Sequence, residues 1–407
     1  MGAKMINPLR GMKDLIFDDS KKYQYIIQTA SNIAKNYGYE YIETPILEET
    51  ALFKRSVGES SDIIGKEMYQ FRDKGDNDVC MRPEGTAGVV RAFISNKLDR
   101  QDANYRFYYH GSMFRYERPQ KGRLRSFHQF GCESFKEASV YEDFMLISMI
   151  KDIFDALNID FALKINSLGC KECMPLYRTK LVSFLENIKD DLCEDCNRRI
   201  ATNPIRVLDC KNEKCQALLQ TSPKLIDNLC DSCNNDFNKL RQLLNEANIP
   251  YEVDTNLVRG LDYYNKTAFE FISNNIGSQS AIAGGGRYDR LVEFLDGKPT
   301  PAVGFALGIE RIMDLVAVPE LNREGLYLGG MNEESINLLL QIARRQLKSQ
   351  KVTIQYKPKS LKAHLRSADK AGAKAIGIIG DDELLSGTIW LKDLETKEEK
   401  TIKIENF

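Results

Sequence analysis

Eight of the ten cysteines in this 407-residue chain fall between positions 170 and 233, in four pairs: Cys170-x2-Cys173, Cys193-x2-Cys196, Cys210-x4-Cys215 and Cys230-x2-Cys233. Thiols this close together either form disulfides or converge on a tetrahedral metal. The first residues contain neither the apolar core of a secretory leader nor an Arg- and Ser-rich amphipathic presequence. A cytoplasmic location is expected, and thiols there stay reduced. The spacing therefore reads as metal ligation first. Eight ligands would serve two four-cysteine zinc sites, structural rather than catalytic, and buried free thiols are the alternative. Cys80 and Cys132 lie apart and are expected in the core.

The cysteine-rich segment sits between stretches of different character. At about 150 residues per domain the length predicts two or three domains. Between Asp18 and Tyr37, Ile26, Ile27, Ala30, Ile33, Ala34 and Tyr37 recur at helical spacing, and Gly38 follows as a terminator. Tyr39–Pro45 reads as extended, with its proline at a strand end. Strands are expected at Tyr105–Gly111 and Phe127–Phe135, flanking a charged loop, and Val303–Leu315 reads as a strand running into a helix. Residues 166–251 read as an inserted domain with helices near Tyr177–Ile188 and Asp236–Ala247. After position 320 strands and amphipathic helices alternate, which predicts a separate small α/β domain.

Lys and Arg number 57 against 58 Asp and Glu, a net charge of −1, so an anionic partner must be met by a local basic patch. Phe114–Phe127 supplies one, with Arg115, Arg118, Lys121, Arg123 and Arg125 against the single carboxylate of Glu117. Guanidinium pairs bind phosphate and carboxylate oxygens, and the flanking aromatic faces stack on bases. A solvated hairpin is the plainer reading of a charge run taken alone. Met81-Arg82-Pro83-Glu84-Gly85-Thr86 reads as a turn that sets a carboxylate beside a hydroxyl, as an ammonium group would require. Leu257–Tyr264 precedes Gly284-Gly285-Gly286-Arg287-Tyr288-Asp289, whose glycines either turn the chain or admit a ligand to the backbone. In Ala302–Arg311 the Glu310-Arg311 pair reads equally as a structural ion pair or a phosphate clamp.

Several chemistries drop out. There is no G-x-x-x-x-G-K-[ST] phosphate loop, no G-x-G-x-x-G, no H-E-x-x-H and no G-x-S-x-G, and no apolar run is long enough to span a membrane.

Taken in order, these segments resemble the class II aminoacyl-tRNA synthetases. Tyr41–Pro45 resembles their first motif, Phe114–Glu133 the second and Gly304–Arg311 the third. Leu-Val-Arg-Gly-Leu-Asp-Tyr-Tyr and Gly-Gly-Gly-Arg-Tyr-Asp are similar to the two signatures of the histidyl-tRNA synthetases. The resemblance implies an α+β fold: an antiparallel-sheet catalytic core over 1–165 and 252–320, a helical insertion at 166–251, and an anticodon-binding domain over 325–407.

It also implies formation of histidyl-adenylate from L-histidine and ATP, with Mg2+ accompanying the nucleotide, and transfer to the terminal adenosine of histidine tRNA by a homodimer. Arg115 would bridge the α-phosphate and the amino-acid carboxylate, and Arg259 would stabilise the transition state. Glu117 and Phe127 would hold adenine, and Arg123 and Arg311 the outer phosphates. Glu84, Thr86 and Gln129 would take the α-ammonium, while Glu133, Tyr264 and Tyr288 would read the imidazole. The rival is an inactive synthetase-like regulatory subunit of a histidine-biosynthetic phosphoribosyltransferase. That class lacks the anticodon domain and the Arg and Tyr of the first signature, which are present here.

Overall fold

The computed structural model describes residues 5–58, 63–208, 210, 212–258, 261, 263–276, 281–317 and 323–407. The chain divides into two compact units, Met1–Val318 and Pro319–Phe407. No helix among the described residues is long and apolar enough to cross a membrane.

The first unit is built on an eight-stranded sheet in the order Glu40–Tyr41, Tyr105–Phe114, Ser126–Phe135, Ala302–Gly308, Ala281–Arg287, Asn265–Ile272, Ala162–Ser167 and Glu252–Val253. The six inner strands are antiparallel, and only the two-residue edge strands pair in parallel. The expected extended segment before Pro45 thus contributes just Glu40–Tyr41. The hairpin of Tyr105–Phe114 with Ser126–Phe135 runs in register from Tyr105 opposite Phe135 to Phe114 opposite Ser126, so the charged segment 115–125 leaves from its open end.

Helices cover one face. Phe17–Asn36 buries Ile26, Ala30 and Ala34, spaced four apart, and carries Asp18 and Asp19 in its first turn and Lys35 in its last, complementing the helix dipole. It packs with Val140–Ala156, whose N-terminus is capped by the Ser139 hydroxyl accepting from the Tyr141 amide at 3.2 Å. Together they bury the core of Ile147, Ile150, Phe154, Phe269 and Phe305. A separate three-stranded sheet, Leu47–Glu49, Asp78–Met81 and Gln70–Arg72, precedes helix Thr86–Ser95.

Within the same unit, helices Cys173–Asn187, Glu194–Thr202, Glu213–Leu219 and Asp231–Glu246 gather a smaller core around Tyr177, Leu181, Leu185 and Leu219. The second unit has a five-stranded sheet in the order Val352–Gln355, Leu326–Gly330, Ala375–Ile379, Thr388–Asp393 and Glu399–Lys403. Its first three strands are parallel and its last two antiparallel. Its one histidine, His364, is a satisfied core residue, with Nε2 3.0 Å from the Gly330 carbonyl and Nδ1 3.1 Å from the Tyr327 hydroxyl.

Candidate active site

The triplet Gly284–Gly286 lies inside strand Ala281–Arg287, paired on both sides, so it makes no turn. A β-carbon on Gly285 would stand 2.2 Å from the Gly304 carbonyl oxygen, so glycine here lets neighbouring strands close up. The following Arg287 is buried and ion-paired to Asp143 at 2.6 Å. It also donates to the carbonyls of Glu137 and Ser139, binding strand to helix N-terminus rather than facing a ligand.

Over these strands opens a cleft of about 980 Å³, its open mouth included. Glu84, Thr86, Arg115, Glu117, Arg123, Phe127, Gln129, Tyr264 and Arg311 all line it. Residues more than 220 positions apart in sequence are thereby brought to one wall. Arg259 lies outside the described residues.

At one end, the arginines are held by backbone. Arg115 follows the last residue of its strand and donates from Nε to the Pro83 carbonyl at 2.9 Å, while its guanidinium sits 5.2 Å from the centre of the Phe127 ring. Arg123 Nε lies 3.3 Å from Glu117 Oε2. Arg311 donates to the carbonyls of Gly122 at 3.0 Å and Ala281 at 2.5 Å. Burial, then the adjacent Arg123, lowers the Arg311 pKa, opposed by Glu117. Glu310 does not pair with Arg311: its carboxylate accepts from the His128 amide at 2.9 Å and lies 2.8 Å from His128 Nδ1.

At the other end, Arg82 is buried and donates to the carbonyls of Thr44 and Ser112, fixing the turn that carries Glu84. The Glu84 carboxylate accepts from the amides of Thr86 at 2.7 Å and Ala87 at 2.8 Å, capping helix Thr86–Ser95; burial raises its pKa against those donors. The Thr86 hydroxyl donates to Glu133 at 2.7 Å. Glu133 also accepts from the hydroxyls of Tyr109 at 3.2 Å and Tyr288. Glu133 and Tyr288 do not themselves line the cleft; both are buried behind its wall. Burial pushes the Glu133 carboxyl up to about 8, opposed by the three hydroxyls and reinforced by Glu84.

Sequence reasoning takes Tyr263 only as one of the two tyrosines of Leu257–Tyr264 that favour a polar pocket and misses a role for it; it lines the cleft beside Tyr264. Its hydroxyl, like Gln129 Oε1, is buried with no hydrogen-bond partner among the described residues. Buried polar atoms left unsatisfied at a cleft wall mark where a polar ligand binds. Tyr109 and Glu270 were missed as well; the first carries no motif, and the second is one carboxylate in an ordinary alternating strand.

Gly304 is opposite Glu133 in the sheet, and a β-carbon there would fall 1.7 Å from Glu133 Oε2. Gly304→Ala is expected to lower stability by about 1–3 kcal/mol, read as a lower urea midpoint, because the carboxylate must leave its three donors. An unchanged midpoint would contradict the packing described.

A family model described as histidyl-tRNA synthetase matches residues 11–170 and 197–312, and one described as anticodon binding domain matches residues 327–407. The histidine–tRNA ligase of Sulfurovum sp. (strain NBC37-1) is 70% identical over 398 residues, 98% of this chain and 99% of that one. That of Sulfurimonas denitrificans is 62% identical over 403 residues, 99% and 100% of the two. Among solved structures, apo S. aureus histidyl-tRNA synthetase aligns with a TM-score of 0.82 at 33% identity, covering 99% of this chain and 100% of its own. A Bacillus halodurans chain described as ATP phosphoribosyltransferase regulatory subunit/histidyl-tRNA synthetase shares the fold at 20% identity, with a TM-score of 0.65 over 93% and 98%. With close relatives matched over nearly its whole length, and its cleft built on the sheet they share, the chain belongs to the histidyl-tRNA synthetase family.

Proposed function

We propose that the cleft activates L-histidine with ATP and passes it to histidine tRNA. The histidine carboxylate attacks the α-phosphorus, a new oxygen–phosphorus bond forms, and pyrophosphate leaves with the electrons of the broken one. A terminal ribose hydroxyl of the tRNA then attacks the acyl carbon and AMP departs. The observation that carries this reading is the convergence of three arginines, an N-capping carboxylate and two unpartnered buried polar atoms on one cleft, in a chain of this family.

Arg115 bridges the two reacting anions, since a planar guanidinium bonds to both at once. Arg123 and Arg311 disperse charge on the departing pyrophosphate, Glu117 accepts from the adenine amino group, and Phe127 stacks on the ring. Glu84, Thr86 and Gln129 receive the α-ammonium, and Glu133, with Tyr264 and Tyr288, recognises the imidazole. Arg259 acts at the α-phosphate. Mg2+ arrives with ATP. The anticodon unit supplies a second contact with tRNA. A homodimer fits the exposed apolar side chains of Tyr41, Ile46 and Leu47 in and beside the first motif, and the cytoplasmic location is the family's. The eight clustered cysteines lie outside the cleft, so zinc held there is structural.

Pyrophosphate exchange into ATP, assayed with each of the twenty amino acids in turn, is expected to proceed with histidine alone. No exchange at all would return the regulatory-subunit reading, which the anticodon-domain match and the identity to named ligases disfavour, and exchange with a different amino acid would overturn the assignment to histidine. Full exchange by Arg259→Ala would remove that arginine from the mechanism.

A further inference from the structure

We infer that the helical segment holds two zinc ions, one on Cys170, Cys173, Cys230 and Cys233 and the other on Cys193, Cys196, Cys210 and Cys215. Spacing alone leaves the partition of eight thiols open. In the structure they form two groups, and within each all four Sγ atoms lie within 4.8 Å of one another.

The distances fit a metal. A tetrahedron with zinc–sulfur bonds of about 2.3 Å has sulfur–sulfur edges of roughly 3.8 Å. Cys170 and Cys173 are 3.8 Å apart at sulfur, Cys170 and Cys230 3.7 Å, and Cys193 and Cys210 3.8 Å. A disulfide needs about 2.05 Å, and none is formed. Four sulfurs so close enclose one ion; a polynuclear iron–sulfur core would hold its thiolates farther apart. Four thiolates in a tetrahedral set, with no imidazole or carboxylate among them, select zinc for a closed structural site.

The surrounding backbone is arranged for thiolates. The amides of Cys230 and Glu172 donate to Cys173 and Cys170 at 3.2 and 3.4 Å. Those of Cys193 and Asn212 donate to Cys215 and Cys210 at 3.2 and 3.4 Å. Each site thus has the outer hydrogen bonds that orient metal ligands.

The pairing is nested. Cys170 and Cys173 follow strand Ala162–Ser167, while Cys230 and Cys233 open helix Asp231–Glu246, so the first site closes the segment at its base. The second lies wholly inside that loop and clips Glu194–Thr202 to Glu213–Leu219. Gly169, at φ +62°, brings the chain onto the first site, where a β-carbon would meet Cys173 Cβ at 2.7 Å. Its carbonyl accepts from the Lys266 amide at 2.7 Å, and the Leu168 amide donates to the Lys266 carbonyl at 2.6 Å. The first zinc therefore holds in place the strand that leads out of Tyr264.

Metal analysis of the full chain, purified without added metal and dialysed under reducing conditions, is expected to give two zinc ions per chain. Less than one zinc, or iron in its place, would overturn the assignment. Cys196→Ser and Cys233→Ser are each expected to keep one zinc and their combination none; two zinc ions retained by either single variant would overturn the partition. Because either variant could misfold, Co2+ exchange into the unaltered chain gives a second readout. Saturation at two equivalents, with the intense visible bands of tetrahedral tetrathiolate cobalt, is expected, and saturation at one or a weak octahedral spectrum would sink the proposal. Neither measurement depends on synthetase activity.

Discussion

Glu133→Gln is expected to lower kcat/KM for histidine about a thousandfold while leaving the KM for ATP nearly unchanged, because the network proposed to read the imidazole loses the carboxylate that Thr86, Tyr109 and Tyr288 hold behind the cleft wall. The fold should survive, since the amide oxygen can still accept from Thr86, Tyr109 and Tyr288. The pH profile is the sharper readout. With the Glu133 carboxyl pushed up to about 8 by burial, the empty site holds a proton below that value. Free histidine has lost its imidazole proton above roughly 6.5. If one proton is shared between carboxyl and imidazole in the complex, binding exchanges no proton between these limits. Below them the ligand must release one, and above them the enzyme must take one up. Histidine affinity should therefore be greatest from about 6.5 to about 8, and the variant should lose the upper limb, due to Glu133, while keeping the lower one, due to the ligand's imidazole. Stability follows the same sign. A carboxyl raised above its ordinary 4.5 contributes stability below that value and loses it as pH rises through about 8. The Tm of Glu133→Gln relative to the parent should thus climb between pH 4.5 and about 8 and level off above it, and a flat difference across that range would refute the proton assignment.

How much of this was legible in sequence depended on period and locality. Helix Phe17–Asn36 announced itself through apolar residues four apart, and the hairpin flanking 115–125 through two aromatic-rich runs. The strands Leu47–Glu49, Gln70–Arg72 and Asp78–Met81 did not. Strands of three or four residues are too short to carry an alternation that can be detected, and Gln70–Arg72 is exposed throughout. Glu310 and Arg311 looked like a pair only because they are adjacent; neighbours on a helix point apart, so one reaches His128 and the other two carbonyls. The fit of Gly304 to Glu133 is a cross-strand register, which no local pattern encodes. The same holds for the cysteines: spacing gave the pairs, but which pair joins which is set by how four helices pack.

Arg115→Ala is expected to slow histidine-dependent pyrophosphate exchange by about a thousandfold, mostly in kcat, which is the scale seen when one preorganised donor to developing charge is removed. The preorganisation is visible in how the side chain is held. Its amide donates to the Arg125 carbonyl at 3.0 Å, its Nε donates to the Pro83 carbonyl at 2.9 Å, and Glu117 lies 3.8 Å from Nη1, so the guanidinium is oriented before substrate arrives. A carbonyl acceptor on Nε leaves the terminal nitrogens to face the cleft, and in the proposed reaction they meet two anions, the α-phosphate and the histidine carboxylate, which otherwise repel each other as they approach. Lysine offers one compact charge instead of a fork, so Arg115→Lys should recover little of the loss. Because the side chain is only partly buried and its ion pair is long, the variant should unfold within about 1 kcal/mol of the parent, separating a chemical defect from a structural one. The second half-reaction supplies the control. Transfer from preformed histidyl-adenylate to tRNA forms its bond at the acyl carbon and no longer joins two anions. It should therefore fall far less than exchange does, and an equal loss in both steps would mean that Arg115 positions the adenylate rather than assembling it.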